Sequence, residues 1–340
     1  MRKIDETDLN LLITLQDLLS ERAMDESLPI PPSRWMVIVN PNAGVKKGAK
    51  EWPKILEMIR HEGIDHQHQY TKHKNHAIHL TREAIEKGYR SIAVVGGDGT
   101  LNEALNGVFL QQSCPVSEIT LGMIPVGTGN DWCRMFNIPF DFNRAVQLLK
   151  ERKTFIQDIG KVTYYHKQER EERYFMNVAG MAYDALVAKK TNLLKEKGHG
   201  GPLTYLWFIF ASLFQYNFLD AVIEVDSETV FKGEVFSMNV GICKYNGGGM
   251  MQLPFAIADD GLLDVTLIKK APKWMVIRHT RKLYDGTLID LPFIKTFQGK
   301  TIRIRSTQKI FLETDGESLG HTPFTYEILP GAVRVVVGKE

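Results

Sequence analysis

The chain has 340 residues, 44% of them hydrophobic and 24% charged, with a formal net charge of +2. That length allows two domains with their own cores, and the near-neutral balance excludes a nucleic-acid binder that works through bulk charge. Cys114, Cys133 and Cys243 fall at no disulfide or metal-ligand spacing, and the acid-containing start lacks a secretory signal, so a reducing, cytoplasmic setting is expected.

Residues 5–22 read as an amphipathic helix, with Leu11, Leu12, Leu15, Leu18 and Leu19 at helical spacing. The run Leu28-Pro-Ile-Pro-Pro-Ser33 ends it as a stiff linker, so residues 1–33 form an N-terminal extension. From residue 34 strands and helices alternate. The strands are Trp35–Val39, Gln67–Tyr70, Ser91–Val95 and Ile119–Ile124. The helices are Ala49–His61, His76–Lys87 and Leu101–Leu110, with a helical region through Lys150. Residues 34–153 are therefore expected to form a doubly wound, Rossmann-like parallel α/β domain.

Near Thr154 the pattern changes. Strands are expected at Phe155–Tyr164, Tyr174–Val178, Ala221–Val225, Val230–Gly241, Leu263–Lys269, Thr301–Arg305, Ile310–Glu313 and Val333–Val337, with a hairpin tip at Lys167–Arg173. Helices are expected near 182–195, 203–215 and 273–284. Residues 154–340 thus read as a β-rich antiparallel sandwich or open barrel. The most apolar window, Pro202–Leu219, is too short and too polar to span a membrane and suits a buried or lipid-touching helix.

Three glycine-bearing loops follow strands of the first domain: Asn40-Pro-Asn-Ala-Gly44, Gly96-Gly-Asp-Gly-Thr100 and Pro125-Val-Gly-Thr-Gly-Asn-Asp131. In open α/β sheets, ligands collect at the carboxyl ends of strands, and a glycine turn opening a helix presents N–H groups to phosphate. Asp98 would repel phosphate unless a metal lay between them, so the loop suggests a nucleotide bound with Mg²⁺. Neither a G-x-x-x-x-G-K-[S/T] loop nor a GxGxxG fingerprint is present. Asp315-Gly-Glu317 is a hairpin signal that also offers carboxylates, and Asp259-Asp-Gly-Leu262 is a second turn. The histidines His61, His66, His68, His73, His76 and His79 suit a solvated, partly charged surface better than a metal site. Lys189, Lys190, Lys195 and Lys197, and the basic, apolar run Lys273–Tyr284, suit either a solvated face or contact with anionic headgroups.

Gly96-Gly-Asp-Gly-Thr100 with Leu101-Asn-Glu103 resembles the signature of the diacylglycerol kinase catalytic-domain family, which includes bacterial lipid kinases and sphingosine and ceramide kinases. NAD kinases share the element, and phosphofructokinases carry a related one. Asn40–Gly44, Gly127–Asp131, Ala258–Val265 and Asp315–Glu317 point to the lipid branch, and the matches run over about residues 34–338.

The resemblance implies an ATP- and Mg-dependent lipid kinase with its nucleotide between an NAD kinase-like α/β domain and a β-sandwich. Diacylglycerol is the first expectation for the acceptor, with sphingoid base, ceramide or phosphatidylglycerol as alternatives and NAD after them. Nucleotide contacts would come from Asn40, Pro41, Asn42, Ala43, Gly44 and Thr71; from Gly96, Gly97, Asp98, Gly99, Thr100, Leu101, Asn102 and Glu103; and from Gly127, Thr128, Asn130 and Asp131. Asp315 would be the base, with Glu317 its partner in a network reaching Asp98 through water and Mg²⁺, although the two roles are exchangeable. A structural Mg²⁺ would take the Asp260 carboxylate and the carbonyls of Ile257 and Leu262. An apolar lipid pocket is expected around Leu203, Trp207 and Phe210. Peripheral membrane association is implied, and a homodimer is left open. Two departures stand out: position 43 is Ala where many members have Ser or another small residue, and the segment after Asp315 that in some relatives returns to the first domain looks short or missing, a surface the 5–22 helix would then cover.

Overall fold

The computed structural model describes residues 33–196, 213 and 216–338. The expected helix at 5–22, nearly all of that at 203–215, Lys197, the pocket residues Leu203, Trp207 and Phe210, and the side chain of Lys195 lie outside the described residues.

The first half alternates as its sequence pattern demands: β1 (Trp35–Val39), α1 (Ala43–His61), β2 (His66–Tyr70), α2 (His76–Glu86), β3 (Ser91–Gly96), α3 (Asp98–Leu110), β4 (Thr120–Pro125), α4 (Asp131–Met135) and α5 (Phe142–Glu151). All pairings are parallel, in the order β4-β3-β1-β2. Every residue of β1, β3 and β4 is buried. That burial on both faces is why these strands read as unbroken apolar runs rather than alternating ones. The strands end together, which brings the three glycine loops to one edge.

The second half is an antiparallel β-sandwich. It comprises β5 (Thr154–His166), β6 (Glu169–Phe175), β7 (Val178–Ala182), α6 (Tyr183–Glu196), β8 (Leu219–Val225), β9 (Glu228–Gly241) and the two-residue strands β10 (Tyr245–Asn246) and β11 (Met250–Met251). It continues with β12 (Leu263–Lys269), α7 (Lys273–Arg278), α8 (Lys282–Asp285), β13 (Ile294–Gly299), β14 (Thr301–Arg305), β15 (Phe311–Thr314) and β16 (Glu317–Val336).

Two expectations are corrected here. The expected strand Val333–Val337 is the end of a much longer strand, β16, which closes at Val336 and pairs with β5 along much of its length. Its end then pairs parallel with β4, Arg334 opposite Thr120 and Val335 opposite Leu121, and Gly338 N–H donates to the Phe136 carbonyl at 2.8 Å. The tail therefore does return to the first half; the covering role given to the 5–22 helix falls outside the described residues. The second correction is to the strand Tyr174–Val178, which breaks at Met176 and Asn177. Their N–H groups point away from a sheet partner toward the Asp315 carboxylate.

Candidate active site

The three glycine loops touch one another through backbone, which explains their composition. A Cβ on Gly127 would lie 2.6 Å from Gly97 Cα, and one on Gly44 would lie 2.2 Å from the Val126 carbonyl oxygen. Side chains lock the rest: Asn40 Nδ2 donates to Thr100 Oγ1 at 2.8 Å, and Asn130 Nδ2 donates to the Gly127 carbonyl at 2.9 Å. Gly44, Val45 and Lys46 all take left-handed φ values of 61°, 58° and 67°, so regular helix in α1 starts after them. Left-handed Val is a strained conformation of the kind that gathers at functional loops. α3 opens at Gly97 with no side chain capping its end, which leaves the positive end of the helix facing the loops.

Six expected contact residues have other duties. The Asp98 carboxylate accepts from Asp131 N–H (3.1 Å) and Trp132 N–H (3.2 Å), and so caps α4. Burial and the nearby Asp131 raise its pKa. Asn102 is fully buried. Its Nδ2 donates to Asp315 Oδ2 (2.8 Å) and the Tyr174 carbonyl (3.0 Å), while its Oδ1 accepts from Arg173 Nε (2.8 Å). Leu101 is likewise fully buried, in the core. The Glu103 carboxylate turns to the start of α2, accepting from Asn75 N–H (2.8 Å) and Ala77 N–H (3.1 Å). Asp131 accepts from Gly248 N–H (2.8 Å) and Gly249 N–H (2.6 Å) in the β half. Thr71, buried, follows β2 and donates its N–H to the Val39 carbonyl, which sets the next loop beside β1.

The turn after β15 crosses to these loops. Asp315 and Gly316 have φ of 48° and 87°, the left-handed pair that an Asp-Gly hairpin turn demands. Asp315 Oδ1 accepts from Asn177 N–H and Val178 N–H, and Oδ2 from Asn102 Nδ2 and Met176 N–H, all within 3.1 Å. Burial raises its pKa, though the four donors pull the other way. Glu317 is placed differently. A Cβ on Gly99 would lie 2.7 Å from Glu317 Oε1, so this carboxylate lies over the first turn of α3. Its Oε2 is 2.6 Å from Lys74 Nζ.

The Ile257–Leu262 turn is braced from within: Asp158 accepts from Gly261 N–H (2.7 Å) and Gly331 N–H (2.6 Å), and Asp260 Oδ1 from Leu262 N–H (3.0 Å). Among the described residues, no three His, Cys, Asp or Glu side chains gather as a metal site. His68 departs from the expected charged surface. It packs against Trp52 and Tyr70, and burial lowers its pKa to about 4, so the ring is neutral.

Sequence reasoning missed Lys74, Asn106 and Arg173, and also Glu313 and the Tyr245–Met251 hairpin. The run Gly247-Gly-Gly249 was the available signal, since all three residues have positive φ and no other residue type tolerates that well.

Residues 34–162 match the diacylglycerol kinase catalytic domain model, and residues 177–337 match a YegS C-terminal NAD kinase beta sandwich-like domain. The chain is 30% identical to a diacylglycerol kinase of Staphylococcus haemolyticus over 305 residues, 89% of this chain and 88% of that one. It is 29% identical to that of Staphylococcus carnosus, over 90% and 96% of the two chains. A crystal structure of a diacylglycerol kinase from Bacillus anthracis superposes with a TM-score of 0.66 at 23% identity, covering 90% and 97%. Yeast NADH kinase shares the fold at a TM-score of 0.51 and 12% identity, covering 91% and 84%.

Proposed function

Since the chain belongs to the diacylglycerol kinase catalytic-domain family and is a lipid kinase, we propose that it moves the γ-phosphate of ATP, with Mg²⁺, to the hydroxyl of diacylglycerol. The observation that carries this reading is the placement of Glu317 over the open first turn of α3, where three backbone-packed loops converge. The loop N–H groups and the helix end suit a triphosphate, and Lys74, beside Glu317, adds a cation.

The residues suit a divalent ion. Asp131 and Asp315 lie close enough to Asp98 to disfavour its ionisation, beyond the effect of burial, and a cation beside Asp98 would relieve this. Bound there, Mg²⁺ would neutralise phosphate charge, with Asp98 and Glu317 as its protein partners, directly or through water. Glu317 is also the better base. Both Asp315 oxygens already accept two donors each, so a substrate hydroxyl finds no open lone pair there, whereas Glu317 is held by a single flexible lysine. Asp315 then positions the turn, the exchange of roles that the sequence had left open.

The membrane approach falls to the arc of α7 and α8. Trp274, Arg278 and Arg281 are exposed at helical spacing, Lys273 and Lys282 flank them, and no acid interrupts residues 273–284. Trp274 exposes 58% of its surface, which suits insertion at a headgroup boundary. Among the described residues no helix is long and apolar enough to cross a membrane.

The test is transfer from γ-labelled ATP with Mg²⁺ to diacylglycerol, a sphingoid base, ceramide, phosphatidylglycerol and NAD in parallel. Label is expected in diacylglycerol, and Glu317→Gln should lower kcat by about 10²–10⁴-fold. Label in another lipid alone would reassign the acceptor, and label in NAD alone would overturn the reading.

A further inference from the structure

We propose that the Tyr245–Met251 hairpin is a latch that holds the Asp315–Glu317 turn in register with the glycine loops, with Asp131 and Glu313 as its positioning residues. Its tip, Gly247–Gly249, takes φ values of 65°, 87° and 97°, which bares successive N–H groups on one side. Two of them, Gly248 and Gly249, donate to the two oxygens of Asp131, the last residue of the third glycine loop. Asp131 is 5% exposed, so this contact is made out of water.

The other end of the latch reaches the catalytic turn. Asn246 Nδ2 donates to Glu313 Oε1 at 3.1 Å, and Gly316 N–H donates to Glu313 Oε2 at 2.8 Å. Glu313 is 2% exposed and closes the very turn that aims Glu317. A second strut runs from the Tyr245 carbonyl to Asn177 Nδ2 at 2.9 Å, and Asn177 N–H holds Asp315. Hydrogen bonds at both ends of the hairpin, linked by its own backbone from Asn246 to Gly249, therefore join Asp131, beside Asp98, to Gly316, beside Glu317. Neither carboxylate needs to touch substrate for this. Each fixes a backbone segment whose neighbour does, and displacement of about 1 Å at a reacting group costs on the order of 100-fold in rate.

The kinetic arm of the test rests on the kinase reading, and the exchange arm does not. Asp131→Ala and Glu313→Ala are each expected to lower kcat by about 10- to 100-fold, with the KM for ATP within about threefold of the parent. Glu313→Gln, which keeps an acceptor for Gly316 N–H, should recover most of kcat, a rescue that simple loss of packing would not show. Amide hydrogen exchange on the full chain should find Gly248 and Gly249 protected in the parent and unprotected in Asp131→Ala, while β9 stays protected in both. Equal exchange of those glycines in parent and variant would overturn the latch. So would a Glu313→Gln variant as slow as Glu313→Ala, or a rise in the KM for ATP at unchanged kcat. No phosphate transfer by the parent would instead defeat the kinase reading, and the exchange result would still decide the latch.

Discussion

Single buried acids set much of the behaviour of this site, and Glu313 is the clearest. Burial raises its pKa to about 8, with Asp184 and Asp315 adding to the effect and Gly316 N–H and Asn246 opposing it. A carboxyl whose folded value lies above its ordinary one stabilises the fold fully at low pH, and that stability is lost as pH rises through the folded value. Glu313→Gln stays neutral throughout. Its stability relative to the parent should therefore grow between about pH 4.5 and pH 8, by a few kcal/mol in total. Urea unfolding at pH 5 and pH 8.5 measures the difference, and a constant offset would show that Glu313 is ionised in the fold. Asn102 illustrates why such roles are hard to read from sequence. Its place in the signature suggested a donor to nucleotide, but its four partners (Asp315, Tyr174, Arg173 and Asn106) come from the far half and from one helical turn away. Nothing within a window of local sequence reports a contact across 213 residues.

Elements were legible wherever one periodicity ruled them. β1, β12 and β14 have the bounds their apolar runs predict, because each lies entirely within one sheet environment. The run Tyr174–Val178 looked equally continuous, yet Asp315 takes the N–H groups of its middle residues, a competitor that comes from another part of the chain. β10 and β11 have two residues each, too few for any alternation to register. The loops were read correctly as glycine loops, and their contacts supply a prediction. Gly127→Ala would force a Cβ into Gly97 Cα and Asn130 Oδ1, both at 2.6 Å. The Gly97 backbone cannot rotate away as a side chain would. The variant should lose roughly 1–3 kcal/mol of stability and bind ATP more weakly, as thermal melts with and without ATP would show. A KM for ATP equal to that of the parent would mean that the loops separate freely. The Ile257–Leu262 turn offers a cheaper test of the structural cation. If Asp260 supplies a ligand, Mg²⁺ should raise the melting temperature of the parent and not that of Asp260→Ala.

The two halves of the molecule are joined by more than the site. β16 leaves the Asp315-Gly316 turn, runs along β5, and ends beside β4, so one strand belongs to both sheet systems. Its last residues bury Val333 and Val335 completely and leave Val336 2% exposed. This arrangement makes the distance between the glycine loops and the Asp315–Glu317 turn a property of one continuous sheet rather than of a hinge. Unfolding should then be a single transition, although chains of this size often show two. Three of the five tryptophans, Trp35, Trp52 and Trp132, are buried in the first half, so fluorescence reports mainly on that half, while far-UV circular dichroism also registers the β-sandwich. The two signals should change at the same urea concentration in the parent. Val335→Ala removes two methyl groups where β16 meets β4, at a cost of about 1–3 kcal/mol. It should move both signals together to lower urea. If it shifts fluorescence alone, the halves unfold separately and β16 merely touches the first. If both move as one, the shared strand couples the glycine loops to the Asp315–Glu317 turn before any nucleotide binds.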